Sequence, residues 1–132
     1  MRLASVAFVV RDYDEAIGYF VEVLGFGLVE DRDLGGGKRW VRIAPPGGGA
    51  ALLLARAVGD DQIDAFGKAA GGRVAFLLEV DDFHATYDAM RTRGVAFQEA
   101  PRRETYGWVA VFADLYGNRW DLIETGAWAR RY

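Results

Sequence analysis

Short runs of β-branched and aromatic residues alternate with amphipathic stretches along this chain, and the whole alternation occurs twice. Val6-Ala7-Phe8-Val9-Val10 ends at Arg11-Asp12, and Val74-Ala75-Phe76-Leu77-Leu78-Glu79-Val80 ends at Asp81-Asp82. Both runs read as buried strands. A helical pattern follows each. Ala16, Phe20 and Val23 share a face in the first, and Phe83, Tyr87 and Met90 in the second, at i, i+4, i+7 spacing. Asp12 or Asp14 stands ready to cap the first helix and Asp81 or Asp82 the second, by accepting orphan backbone N–H groups. Gly25 and Gly94 close them, because glycine tolerates the left-handed conformation at a helix end. Asp12 to Asp81, Ala16 to Ala85 and Gly25 to Gly94 are each 69 positions apart, the mark of an internal repeat.

Three strand-like runs follow each helix, over about 26–31, 39–43 and 50–55 in the first half and 96–99, 106–113 and 119–124 in the second. Glycine-, proline- and Asx-rich turns separate them. The pattern predicts an α+β fold of two βαβββ modules. Together these form an open, cup-shaped mixed sheet with the helices outside. The expected organisation is one domain over 1–132: a module at about 3–57, a linker at 58–72 with a short helix near Asp60–Phe66, a second module at about 73–125, and a tail at 126–132. The tail residues Trp128 and Tyr132 are expected either to pack on a partner or to fray.

Composition narrows the chemistry. The 132 residues are 52 % hydrophobic, with 4 Trp, 6 Tyr and 8 Phe, which supports a packed core and excludes a disordered segment. A net charge of −3 without a block of like charge argues against nucleic-acid binding. With no cysteine there is no disulfide framework, thiolate metal site or cysteine nucleophile. A single histidine, His84, excludes any site that needs two imidazoles from one chain. His84 falls at a helix start, where an exposed residue is expected. No run of about 18 apolar residues is present, so no membrane partner is expected, and the location expected is cytoplasmic.

The chain resembles the vicinal oxygen chelate superfamily, which groups glyoxalase I, bleomycin-resistance proteins and extradiol dioxygenases. The resemblance is carried by Val10-Arg11-Asp12, by Ala16 through Leu24-Gly25-Phe26, by Val80-Asp81-Asp82 and Gly94-Val95, and by Phe112-Ala113-Asp114-Leu115-Tyr116-Gly117-Asn118 running on to Glu124. The last segment matches a family signature, with Leu115 in place of the usual proline. The likeness extends over about 3–124. It implies the paired-module fold and a homodimer; for reaction it is permissive, since the family hosts isomerases, dioxygenases, other enzymes and drug-binding proteins.

Enzymes of the family hold one divalent cation through His, Glu or Gln side chains, one from the first and one from the last strand of each half. Carried over singly, these positions fall at Ser5, at Ala75, near Leu53 and at Asp121. One carboxylate and one hydroxyl cannot replace the hydration shell of a divalent ion, and the neighbouring Val6, Leu52, Leu54, Val74 and Phe76 do not supply the missing donors. No family-type metal and no other cofactor is therefore expected.

Strand alternation places Ser5, Ala7, Val9, Leu77, Glu79, Arg119, Asp121 and Ile123 towards the cup. The candidate ligand-binding residues are Ser5, Trp40, Arg42, Glu79, Arg103, Tyr106, Trp108 and Asp121. For Trp40, Arg42, Tyr106 and Trp108 the stronger reading is as sheet residues packing a core or a subunit contact. The loop 102–108 reads either as a gate or as an ordinary hairpin. Asp114 and Asn118 belong to turn chemistry. The expected function is metal-free binding of a small, partly aromatic or cationic molecule. The alternative is a lyase-, isomerase- or dioxygenase-type enzyme that uses a metal, or Asp121 or Glu79 as a base raised in pKa by an apolar cup.

Overall fold

Asp12 and Asp82 are the two helix caps: the Asp12 carboxylate accepts the Glu15 N–H at 2.8 Å and the Asp82 carboxylate accepts the Ala85 N–H at 3.1 Å. Between them they punctuate a chain that divides after Phe66 into two compact units. The break falls inside the segment read as a linker. The computed structural model describes residues 1–126; the tail residues Trp128 and Tyr132 lie outside the described residues.

The first unit runs β1 (Ser5–Val10), α1 (Tyr13–Ile17) continued by a π-helical turn (Gly18–Val23), β2 (Gly27–Gly35), β3 (Lys38–Ala44), β4 (Ala51–Arg56) and α2 (Asp60–Ile63). Its sheet order is β1-β4-β3-β2, with β1 and β4 parallel and the other pairs antiparallel. Phe8, Val10, Val41, Ile43, Leu52 and Leu54 are buried. Phe20 also is buried, with its ring edge-on to Phe8 at 5.4 Å. The β2–β3 hairpin turns at Gly36-Gly37, whose φ values of 62° and 82° suit the primed turn that matches strand twist.

The second unit runs β5 (Val74–Val80), α3 (Phe83–Thr92), β6 (Ala96–Phe97), β7 (Arg102–Glu104), β8 (Gly107–Ala113) and β9 (Arg119–Glu124). The order is β5-β9-β8-β6, β7 also pairs with β8, and β5 runs parallel to β9. Phe83, Tyr87 and Met90 of α3 are buried as the periodicity predicts. Both sheets are open and mixed, so the architecture is the expected α+β fold.

Two details differ from the sequence reading. The caps are 70 positions apart, not 69, whereas the closing glycines keep the 69-residue offset. The π-helical turn accounts for this extra residue: Leu24 N–H reaches back five residues to the Tyr19 carbonyl at 3.1 Å. The run expected at 96–99 stops at Phe97 and resumes at Arg102 as a separate strand. Pro101 lacks the N–H that a continuous ladder needs. Glu99 instead uses its side chain, which accepts the Val111 N–H at 3.2 Å.

The β8–β9 turn is organised by Asp114, only 6 % exposed. Its carboxylate accepts from Tyr116 N (2.9 Å), Asn118 N (3.1 Å), Asn118 Nδ2 (3.1 Å) and the Trp120 indole Nε1 (3.0 Å). Leu115 occupies the turn without disturbing it, since Gly117 N still bonds to the Asp114 carbonyl at 3.0 Å. Asn118 then accepts the Ala69 N–H at 3.1 Å, tying the unit's first residues to the turn. Removing a carboxylate that satisfies four donors leaves several of them buried and unpaired. Asp114→Ala is expected to cost about 3 kcal/mol in chemical denaturation. Asp114→Asn, which keeps one acceptor, is expected to cost about half as much.

Candidate functional site

Parity along the strands decides which candidate residues share a surface. In the first unit, Ser5, Ala7 and Val9 pair in register with Ala51, Leu53 and Ala55, and Leu53 pairs with Arg42. Arg42 faces Glu30, and Trp40 faces Arg32, across the β2–β3 ladder. These residues occupy the sheet face opposite the buried Phe8–Phe20 side. Ser5, Trp40 and Arg42 therefore come together on one face.

This face is held by an ion pair. Arg42 Nη1 donates to Glu30 Oε1 at 2.5 Å, and Arg42 Nε donates to Ser5 Oγ at 2.9 Å. The hydrogen bond from Arg42 holds the Glu30 carboxyl below its ordinary range, with the charges of Arg42 and Arg32 acting in the same direction. The Ser5 hydroxyl is thus committed to a guanidinium.

In the second unit, Asp121 pairs in register with Leu77 and Val111, and Ile123 with Glu79 and Val109. Asp121, Glu79, Leu77, Val111, Val109 and Ile123 lie on the face opposite α3. Tyr106 joins them by packing on the buried pair Val109 and Ile123. Glu79 is exposed and lacks the apolar enclosure expected of it. Asp121 is half-buried and, among the described residues, makes no hydrogen bond or ion pair. Burial pushes its carboxyl up, Glu99 adds to the rise, and Arg102 and Arg119 oppose it. Arg102 is itself tied to Glu104 at 2.8 Å and to Glu99, and Arg119 to Gln98 at 3.1 Å.

Trp108 and Arg103 do not join this group, which corrects the sequence reading. Trp108 is one residue out of phase with Val109 and stands on the α3 side. Its ring lies 4.6 Å from His84 and 6.4 Å from Phe83. The Arg103 guanidinium lies over that ring at 5.8 Å. His84 is exposed at its helix start, as expected. The segment 102–108 is a tight hairpin in which Glu104 pairs with Gly107 and the Glu124 carboxylate accepts the Trp108 N–H at 3.1 Å.

The four positions that align with a family metal site do not fit one. Ser5 is bonded to Arg42, a cation. Leu53 is hydrocarbon, and Ala75 falls at the register shift between Val74 and Phe76. Asp121 alone offers a free donor. Among the described residues no group of three or more His, Cys, Asp or Glu side chains is arranged to hold a metal ion. No helix among them is long and apolar enough to cross a membrane.

The family model described as Glyoxalase/Bleomycin resistance protein/Dioxygenase superfamily matches residues 2–122. An uncharacterized protein of Shewanella frigidimarina (strain NCIMB 400) is 48 % identical over 124 residues, covering 92 % of each chain. Among solved structures, a member of the same superfamily from Sphaerobacter thermophilus DSM 20745 is 28 % identical, with a TM-score of 0.77 over 94 % of this chain and 97 % of that one. TnmS3, described as an antibiotic binding protein from Streptomyces sp. CB03234, is 28 % identical, with a TM-score of 0.65 over 89 % and 92 % of the two chains.

The upward shift at Asp121 has a signed consequence for stability. A carboxyl whose pKa is raised by folding favours the folded state while it is protonated, and that contribution is lost as pH rises through the folded-state value. Asp121→Asn is therefore expected to raise Tm at pH 7. The gain is expected to shrink as pH falls through the folded-state value. It should vanish below pH 3.8, the ordinary carboxyl value. Thermal denaturation of both proteins across this range checks it.

Proposed function

The chain belongs to the Glyoxalase/Bleomycin resistance protein/Dioxygenase superfamily, and from that premise we propose that it is a metal-free binding protein for a small, partly aromatic molecule bearing a cationic group. The observation that carries this reading is Asp121: a half-buried carboxylate without a partner among the described residues. Such a group is costly in the empty protein. A ligand ammonium or guanidinium supplies the missing partner, and partial burial makes that charge-assisted hydrogen bond stronger than its counterpart in water. Tyr106 and Leu77 offer aromatic and apolar surface on the same face, above the buried Val109, Val111 and Ile123.

The similarity to TnmS3, described as an antibiotic binding protein, supports binding as the activity. The donor set supports the metal-free form, because Ser5, Leu53 and Ala75 leave Asp121 as a single ligand. A homodimer and a cytoplasmic location are parts of the same reading. The raised carboxyl of Asp121 favours one second reading, an enzyme of lyase or isomerase type in which Asp121 accepts a proton from carbon. Glu79 is the weaker base candidate there, because it stands in solvent.

Two measurements test the proposal. After dialysis, elemental analysis is expected to find far less than one equivalent of divalent metal, and a chelator is expected to leave Tm unchanged; stoichiometric retained metal overturns the metal-free reading. In a thermal-shift screen, small aromatic amines are expected to raise Tm more than their uncharged analogues, since ligands that bind only the folded state stabilise it. Asp121→Asn is expected to weaken amine binding about tenfold, the equivalent of about 1.4 kcal/mol. Equal binding by the variant removes Asp121 from the site.

A further inference from the structure

A separate concavity opens in the first unit where β3 and β4 part. Their ladder ends at Val41 and Leu54. Beyond that point Lys38, Arg39 and Trp40 on β3 diverge from Ala55 and Arg56 on β4, and the chain from Val58 to Gln62 helps close the space. The volume is about 490 Å³, within the range that accepts small organic ligands.

The lining has a consistent chemistry. Tyr13, Trp40 and Leu53 give it aromatic and apolar surface, and no carboxylate is among its lining residues. Arg39 is neutralised from outside the cavity, by Asp31 at 2.7 Å and Asp14 at 2.8 Å. Those hydrogen bonds raise the Arg39 pKa and keep its charge occupied. Arg56 differs. Its guanidinium lies 5.5 Å from the Tyr13 ring centroid, and among the described residues it has no carboxylate partner. Lys38 has none either. Gln62 uses Oε1 to accept the Val58 N–H at 2.9 Å, which leaves its amide nitrogen as a donor. Two uncompensated cations and a spare donor therefore border an aromatic-walled space.

We propose that this concavity binds a small planar aromatic carboxylate, with its ring against Trp40 and Leu53 and its carboxylate paired with Arg56 and Lys38. A guanidinium already stacked on Tyr13 is preorganised for a carboxylate, so less rotamer freedom is lost on binding. This site takes the opposite charge from the one proposed at Asp121, and the two proposals stand or fall separately.

The test uses the full chain with naphthalene-2-carboxylate as the probe and naphthalene-2-carboxamide as the uncharged control. Calorimetric titration is expected to show saturable binding of the carboxylate and at least tenfold weaker binding of the amide. Amide shift changes in nitrogen-edited spectra are expected to concentrate at residues 38–40 and 55–62. Arg56→Gln and Lys38→Gln are each expected to weaken binding about tenfold, and Arg73→Gln, an exposed cation of the other unit, to leave it unchanged. If Arg56→Gln disturbs folding through loss of its stacking on Tyr13, Lys38→Gln decides the matter alone. Equal affinity for acid and amide, wild-type affinity in the Lys38→Gln variant, or shift changes confined to the second unit overturns the proposal.

Discussion

A single buried carboxylate sets the geometry on which the second unit depends. Asp114 gathers two backbone amides, one side-chain amide and one indole N–H at the β8–β9 turn. Those bonds fix the register in which Val111 opposes Asp121 and Phe112 opposes Trp120. Register in a sheet is all-or-none with respect to face: a slip of one residue would turn Trp120 away from Phe112 and Phe76, and would carry Asp121 into the core beneath α3. Because the indole bond holds Trp120 on the inner side, the neighbouring carboxylate must face outward. The turn also anchors the unit's first residues: a Cβ on Gly67 would lie 2.5 Å from the Tyr116 carbonyl oxygen, so only glycine allows that approach.

Much of this was legible in the sequence because its signals are periodic. The apolar spacing of Phe83, Tyr87 and Met90, the glycine after each helix and the alternation around Asp121 each follow from local geometry and reappear in the fold. Pattern and fold part where one residue changes the phase. The π-helical turn inserts a residue between Asp12 and Gly25, so landmarks 69 apart concealed caps that are 70 apart. Trp108 has the aromatic character of a cup residue but not the parity, because β8 puts it on the α3 side, opposite Asp121. Pro101 was the available signal that the strand at 96–99 would not continue. The pairing state of Arg42, Lys38 and Arg56 lies beyond periodicity: whether a cation is paired depends on contacts such as Arg42 with Glu30, 12 positions away.

The two units use charge in contrasting ways. In the first, Arg42 is satisfied internally by Glu30 and Ser5, and Arg39 by Asp31 and Asp14. Such pairs hold a sheet face in one arrangement, and they gain little in stability where they are solvent-exposed. In the second, Glu99, Glu104 and Arg102 likewise satisfy one another, yet Asp121 beside them is left alone. A protein surface able to pair Glu99, Arg102 and Glu104 has the means to pair this one, and Arg102 and Arg119 are close enough to affect its titration. Their side chains are instead directed to Glu99, Glu104 and Gln98.

That distribution bears on the proposed metal-free site. At Ser5 the residue is not merely a poor ligand; it is bonded to a guanidinium, whose positive charge would repel a metal ion. A serine bonded in this way does more than offer a weak donor. It keeps a guanidinium fixed on one face of the first unit, while in the second unit the Asp121 carboxylate has no hydrogen-bond or ion-pair partner among the described residues. A half-buried carboxylate without a partner keeps its electrostatic demand, and on the proposed reading a cationic organic ligand would meet it with a charge-assisted hydrogen bond while its ring covered Tyr106 and Leu77. On the proposed reading, the same few side chains that do not fit a metal ion would favour an organic cation.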